Sequence, residues 1–221
     1  MDPAFLRDQM MRAAISIQRN AAAMGAKVVT LTSAKPSGGT TTLCLRIAEE
    51  ITRMGGRPLV IEANAFKPDA RYKGGPGLAA LLQGDADAPD LSWRHTVPAG
   101  DMAGARHLPN LKELRPLLDR IGAGYDLILL DAPPLLLSAD SEFLARMADL
   151  TILIVEAESL TAGELRRAAR SLERIQPPAV GAVVNRVPIY SAGGYYRAVV
   201  DEFKTGERRG PSQLLSPWLW K

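Results

Sequence analysis

The chain of 221 residues has one cysteine, two histidines and no long unbroken apolar run. Cys44 alone cannot close an intrachain disulfide, so a reducing compartment suits the chain. It falls within a helical pattern and reads as a small packed side chain rather than a reactive thiol. His95 and His107 stand isolated in loop-like sequence, with no second ligand at metal spacing, and are expected to be solvated. The longest apolar stretch, Leu127 to Leu137, is interrupted by Asp131, Pro133 and Pro134. It falls well short of the ~20 residues that a bilayer-crossing helix needs. Met1–Gln9 lacks the apolar segment of a signal peptide, so a cytoplasmic location is expected. Charge of one sign is also scarce. The net charge is +3 and the basic residues form no stripe, so no nucleic-acid partner is expected.

What is present points to one α/β unit. Hydrophobic residues make up 47% of the chain, enough for one substantial core. Strand-like runs occur at Lys27–Thr32, Pro58–Glu62, Asp126–Leu130, Leu150–Val155 and Ala179–Val184. Helical patterns lie between them at Thr41–Arg53, Leu111–Ile121, Ser141–Met147 and Ala162–Ile175, and one precedes them at Phe5–Ala23. Runs rich in Val, Ile and Leu that alternate with helices predict a three-layer sandwich, a mostly parallel sheet with helices on both faces. Pro68 to Gly104 reads as loops around a short helix, Gly77–Leu82, with an extra edge strand near Thr96. The expected organisation is an N-terminal helix over 1–24, the α/β domain over 25–205 and a tail over 206–221. That tail ends in a Leu/Trp segment, expected to be poorly ordered alone and suited to packing on a partner or on the domain itself.

Ala34-Lys35-Pro36-Ser37-Gly38-Gly39-Thr40-Thr41 lies between a strand and a helix, the place of a phosphate-binding loop. In that context backbone N–H groups and the helix N-terminus cradle phosphate oxygens. Ser37, Gly38, Gly39, Thr40, Thr41 and Thr42 are therefore candidate contacts for ATP or ADP. The lysine that such a loop carries just before its Ser/Thr is missing, and Thr40 stands there. Thr41 and Asp131, the latter closing Leu127-Ile128-Leu129-Leu130, are candidate holders of Mg²⁺. Asn185 closes another strand with an amide able to read an adenine edge, and reads nearly as well as a turn residue. Glu62 and Asn64 form a polar cluster at a third strand end. Glu62 fits a metal-shell carboxylate and a solvated strand end equally.

The order of these pieces resembles the bacterial tyrosine kinases of capsule and exopolysaccharide synthesis, the CpsD/CapB-like cytoplasmic kinases related to MinD/ParA ATPases. The resemblance rests on Thr32-Ser33-Ala34-Lys35-Pro36-Ser37-Gly38-Gly39-Thr40-Thr41-Thr42, on Val60-Ile61-Glu62-Ala63-Asn64-Ala65-Phe66-Lys67-Pro68 and on Tyr125 through Pro134. Gly77 through Gly84 and Val97-Pro98-Ala99-Gly100 extend it, so that it runs from about Met10 to Tyr196. It implies a P-loop fold, Mg-ATP as cofactor and tyrosine phosphorylation as the family activity. It also implies the cytoplasmic segment of a membrane polysaccharide co-polymerase as partner, with peripheral placement at the inner membrane.

The departures cluster on phosphate chemistry. Thr40 replaces the lysine, Glu62 and Asn64 stand where the family has two carboxylates, and Phe66 replaces an arginine. The tyrosine-rich tail is reduced to Tyr190, Tyr195 and Tyr196. Of the ring-forming E-x-x-R-x-x-R only Arg12 remains, with Leu6 and Gln9 at the other places, so a homo-oligomer is left open. Losing a lysine–phosphate bond weakens ATP binding by about 10–100-fold. The rate should suffer more than binding, because charge grows on the transferring group. Lys35 matches the signature lysine of MinD-like loops and could act on a partner's nucleotide; the plainer reading is a solvated loop lysine. The expectation is a catalytically weakened or inactive kinase-like subunit. The alternative is an active autokinase, or a ParA/MinD-like ATPase with a variant loop.

Overall fold

The fold is that of a computed structural model, and the structure describes residues 3–72, 77–84, 95–101 and 106–187. The expected edge strand near Thr96 is present, whereas Tyr190, Tyr195, Tyr196 and the Leu/Trp tail lie outside the described residues.

Six strands form a single sheet: β1 (Val28–Ser33), β2 (Pro58–Glu62), β3 (Thr96–Val97), β4 (Leu127–Asp131), β5 (Leu150–Glu156) and β6 (Val180–Asn185). Their order is β3-β2-β4-β1-β5-β6, and every pairing is parallel. Every residue of β1, β2 and β4 is buried, which explains why these runs are apolar without alternation: helices cover both faces. At the edge, β6 alternates between exposed and half-buried positions.

On one face lie α1 (Pro3–Met24) and α2 (Thr40–Arg53). Ala14, Ile17 and Ala21 of α1 and Leu43, Cys44, Ile47 and Ile51 of α2 join Val29, Leu31, Val60 and Leu129 of the sheet in one apolar cluster. The opposite face carries α3 (Leu78–Gln83), α4 (Leu114–Ile121), α5 (Ala139–Met147) and α6 (Ala162–Ile175). There Leu78, Leu114, Leu118 and Leu144 pack on Leu59, Ile61, Ile128 and Leu130, while Ala168 and Leu172 of α6 pack beside Ala145 and Leu153. α6 starts with a capping box in which Thr161 and Glu164 satisfy each other's backbone N–H.

Most element ends lie within one or two residues of the sequence expectation, and two of the differences have a clear physical reason or bear on the site. The helix expected over Leu111–Ile121 begins as a 3-10 turn, Leu111–Glu113, before α4. Pro116 has no N–H to bond back to residue 112, so α-helical bonding is delayed and the proline sits in the first α-turn, where it is tolerated. β4 also runs one residue further than expected, to Asp131, which is in register with both Leu31 and Glu62.

β1 leads into α2 on one face, whereas its neighbours β4 and β5 lead into α5 and α6 on the other. A crevice therefore opens past the carboxyl ends of β1 and β4, where ligands bind in open parallel sheets.

Candidate functional site

The loop leaving β1 is shaped by close packing and positive φ angles. Ser33 Oγ donates to the Lys35 carbonyl at 2.8 Å. A Cβ at Gly38 would come within 2.7 Å of Ser33 Cβ, so the tight return of the chain requires glycine there. Gly39 has φ 92° and caps α2 without a side chain. No acidic residue occupies the first turn of α2. The backbone N–H groups of that turn, with the positive end of the helix dipole, are thus available to an anion. Ser37 also takes a positive φ, 68°, which curls the loop further.

A cleft of about 310 Å³ opens at this turn. Ser37, Gly38, Gly39, Thr40, Thr41 and Thr42 form one wall. Asn64, Phe66, Lys67, Asp69 and Arg71 form another, and Ala132 and Pro134 lie opposite.

Asp131, at the carboxyl end of β4 and next to cleft-lining Ala132, has no solvent exposure. Its Oδ2 accepts a hydrogen bond from the Tyr72 hydroxyl at 2.9 Å, and its Oδ1 has no partner. Burial pushes its pKa up to about 6, against the lowering influence of the Thr41 and Tyr72 hydroxyls. Thr41 thus acts on the carboxylate without completing a bond to Oδ1. Burial likewise holds the Tyr72 phenol far above its ordinary range.

A buried carboxylate with an unused oxygen, beside a threonine hydroxyl and an uncapped helix start, fits a nucleotide bound with a divalent cation. Thr41 and Asp131 would hold the cation, and the loop backbone would hold the phosphates; the cation would offset phosphate charge. Among the described residues no group of three or more His, Cys, Asp or Glu could hold a metal ion alone. Such an ion would therefore depend on phosphate oxygens for the rest of its ligands.

The other sequence candidates divide. Asn64 lines the cleft, and its Oδ1 accepts the Lys67 N–H at 3.2 Å. Glu62 is buried, and both its oxygens are engaged by backbone: one accepts the Asp69 N–H, the other the Ala99 N–H at 2.8 Å. Burial raises its pKa against the pull of these two bonds. In this state Glu62 is neither a solvated strand end nor an open metal-shell carboxylate. It fastens two loops to the end of β2.

Asn185 does not line the cleft. Its Nδ2 donates to the Gly38 carbonyl at 2.9 Å and its Oδ1 accepts the Arg186 N–H at 2.9 Å, so its amide braces the loop from behind. Lys35 is also placed outside the cleft. Its Nζ donates to the Ser159 carbonyl at 2.6 Å and lies 3.5 Å from Glu164 Oε2.

Sequence reasoning missed Asp69, Arg71 and Tyr72. They sit just past the second motif, in a stretch with no periodicity to fix which way a side chain points. The only available signal was a close run of an acid, a base and a phenol beside a candidate site.

An all-parallel sheet with a glycine-bearing loop leading into a helix at its C-terminal edge, and a buried carboxylate on the adjacent strand, defines a P-loop NTPase-like domain. No protein-family model matches the chain. EpsB of Ralstonia solanacearum, assigned as a tyrosine-protein kinase, is 32% identical over 172 residues. That match takes in 73% of this chain and 23% of EpsB, so the chain spans about a quarter of that relative's length. Among solved structures, the tyrosine kinase domain of BceF superposes with a TM-score of 0.70 at 22% identity, covering 82% of this chain and 78% of the other. The septum site-determining protein MinD of Pyrococcus horikoshii, complexed with Mg-ADP, gives a TM-score of 0.61 at 19% identity, covering 75% of each chain. The chain is a relative of the bacterial tyrosine-protein kinases, on a fold shared with MinD.

Proposed function

We propose that the chain is a kinase-like subunit of a capsule or exopolysaccharide synthesis system, catalytically weakened or inactive, that still binds a nucleotide. In this reading it works at the cytoplasmic side of the inner membrane by binding the cytoplasmic segment of a polysaccharide co-polymerase. The observation that carries the reading is the uneven state of the cleft. The phosphate cradle at Gly38 and Gly39 is intact, as are Thr41 and Asp131. The groups that would move a proton or gather charge are not. Thr40 is uncharged, Asn64 has no basic oxygen, and both oxygens of Glu62 are occupied by backbone N–H groups. Binding relies on backbone and shape, while turnover relies on charge that appears in the transition state, so turnover suffers more.

The test is direct. Purified protein with Mg-ATP should give no phosphotyrosine and negligible hydrolysis while still binding ADP, and Thr40→Lys alone should not restore full turnover, because Asn64 is unchanged. Retention of Thr41 and Asp131 supports a second reading, an active autokinase or a ParA/MinD-like ATPase. Strong autophosphorylation at Tyr195 or Tyr196, or nucleotide-dependent dimers with hydrolysis, would establish it instead.

A further inference from the structure

We propose that Arg71 takes the place of the missing loop lysine as the side chain that binds the phosphates of a nucleoside di- or triphosphate, which rests on the nucleotide pocket proposed above. Arg71 lines the same cleft as the cradle. Its Nη1 donates to Thr42 Oγ1 at 3.0 Å, which fixes the guanidinium at the first turn of α2. Its Nε and Nη2 donate to the two oxygens of Asp69 at 3.0 and 2.8 Å. Asp69 is itself held, because its N–H donates to buried Glu62 and its Oδ1 accepts the Arg71 N–H at 2.9 Å.

The chain of contacts Glu62, Asp69, Arg71, Thr42 ties the end of β2 to the start of α2 across the cleft. A flexible arginine would lose side-chain entropy on gripping a phosphate, whereas this one is already positioned. A guanidinium has five N–H donors, and these contacts engage three of them, leaving two for an anion. Lys67 and Arg186 line the cleft as well, but Arg71 is the cleft cation bonded to the first turn of α2. Arg186 is paired with Glu156, and Lys35 is turned toward Ser159. An independent observation next to the cleft concerns Asp131, beside cleft-lining Ala132: its Oδ1 is buried without a partner, which a bound cation would supply. The carboxylate of Asp69 offsets part of the guanidinium's field, so the gain should fall toward the lower end of that for a charged hydrogen bond.

Calorimetric titration of the full chain with ADP and with pyrophosphate, each with Mg²⁺, tests the assignment. Arg71→Ala should weaken both by about tenfold or more, because a charged bond to phosphate is lost. Arg71→Lys should recover part of the loss, since it restores charge without the planar fork. Lys112→Ala, which removes an exposed cation outside the cleft, should leave both affinities within about twofold, a margin too small to reflect a lost charged bond. Melting curves of Arg71→Ala and Arg71→Gln establish that the variants are folded. Equal affinities for the unaltered chain and a folded Arg71 variant would overturn the role of Arg71 while leaving the nucleotide pocket standing. Failure of the unaltered chain to bind either ligand would overturn both.

Discussion

Asp131 carries its charge against the preference of its surroundings. An ordinary aspartate has a pKa of 3.8, and burial moves this one to about 6. Between those values the folded state holds the proton more tightly than the unfolded chain. Stability is therefore greatest at acid pH, falls as pH rises through this window and levels off above it. In metal-free, nucleotide-free protein, Asp131→Asn should raise stability at pH 7.5 by on the order of 2–3 kcal/mol and change little near pH 4. Denaturant titrations at the two pH values check this, and a variant that is less stable at pH 7.5 would refute it. The same substitution should abolish any Mg²⁺ dependence of ADP binding. The places of Asp131 and Thr41 in the fold were legible in the sequence, because a polar residue closing an apolar run and a threonine opening a helix have fixed places in a parallel sheet. Glu62 was legible as a position but not as a role. Its oxygens reach backbone 7 and 37 residues further along the chain, and no spacing rule reports such a contact. The contact of Asn185 was hidden for a similar reason: the glycines that let the loop curl also bring its Gly38 carbonyl within reach of the amide.

Elements are joined on the side of the sheet away from the cleft by Asp149, at the entry to β5. Its Oδ2 accepts the N–H groups of Lys27 and Val28, each at 2.8 Å, and its Oδ1 takes Arg115 Nη1 of α4 at 2.8 Å. Burial works to raise its pKa, but the Arg115 bond and the two backbone bonds prevail and hold it below 3.8. A depressed carboxylate contributes stability above its unfolded value, and that contribution is lost as pH falls through the folded value. Asp149→Ala should therefore destabilise the protein at pH 7 by about 1–3 kcal/mol, the range for leaving buried donors unpaired. The difference from the unaltered protein should persist at pH 4 and shrink only as pH falls below 3.8 and through the depressed folded value, where the native carboxylate takes up its proton. Melting temperatures from pH 2 to 7 provide the measurement, and a constant gap would contradict it. The five apolar runs read as strands were all found: β1, β2 and β4 are apolar throughout because they are buried on both faces, while edge strand β6 is half-exposed. Ends were less legible. The reading stopped at Leu130 because Asp131 is polar, yet its backbone continues the ladder with β1 and β2. A helical pattern at Leu111 likewise reports which face is apolar, not which carbonyl each N–H reaches.

At the scale of the whole molecule the open question is whether α1 is an appendage or part of the cooperative unit. Sequence pattern marked 1–24 as a separate segment because it precedes the first strand and carries none of the site motifs. Packing weighs the other way. Ala14, Ile17 and Ala21 are buried in the same cluster as α2 and the sheet, and the Ala26 N–H donates to the Ala21 carbonyl at 2.8 Å where the chain turns into β1. α2 is thus covered by α1 on one side and by β1, β2 and β4 on the other, and its first turn is the phosphate cradle. Ile17→Ala removes a side chain that is only 5% exposed. It should lower stability by about 2–4 kcal/mol, the range for a large-to-small change in a close-packed core. If α1 belongs to the unit, urea unfolding followed by far-UV circular dichroism and by amide exchange in β1 will give one coincident transition, displaced as a whole. ADP affinity under native conditions should stay unchanged, since no group of the cleft is touched. Two transitions, or a β1 that keeps its full protection while α1 melts, would instead make α1 a detachable arm.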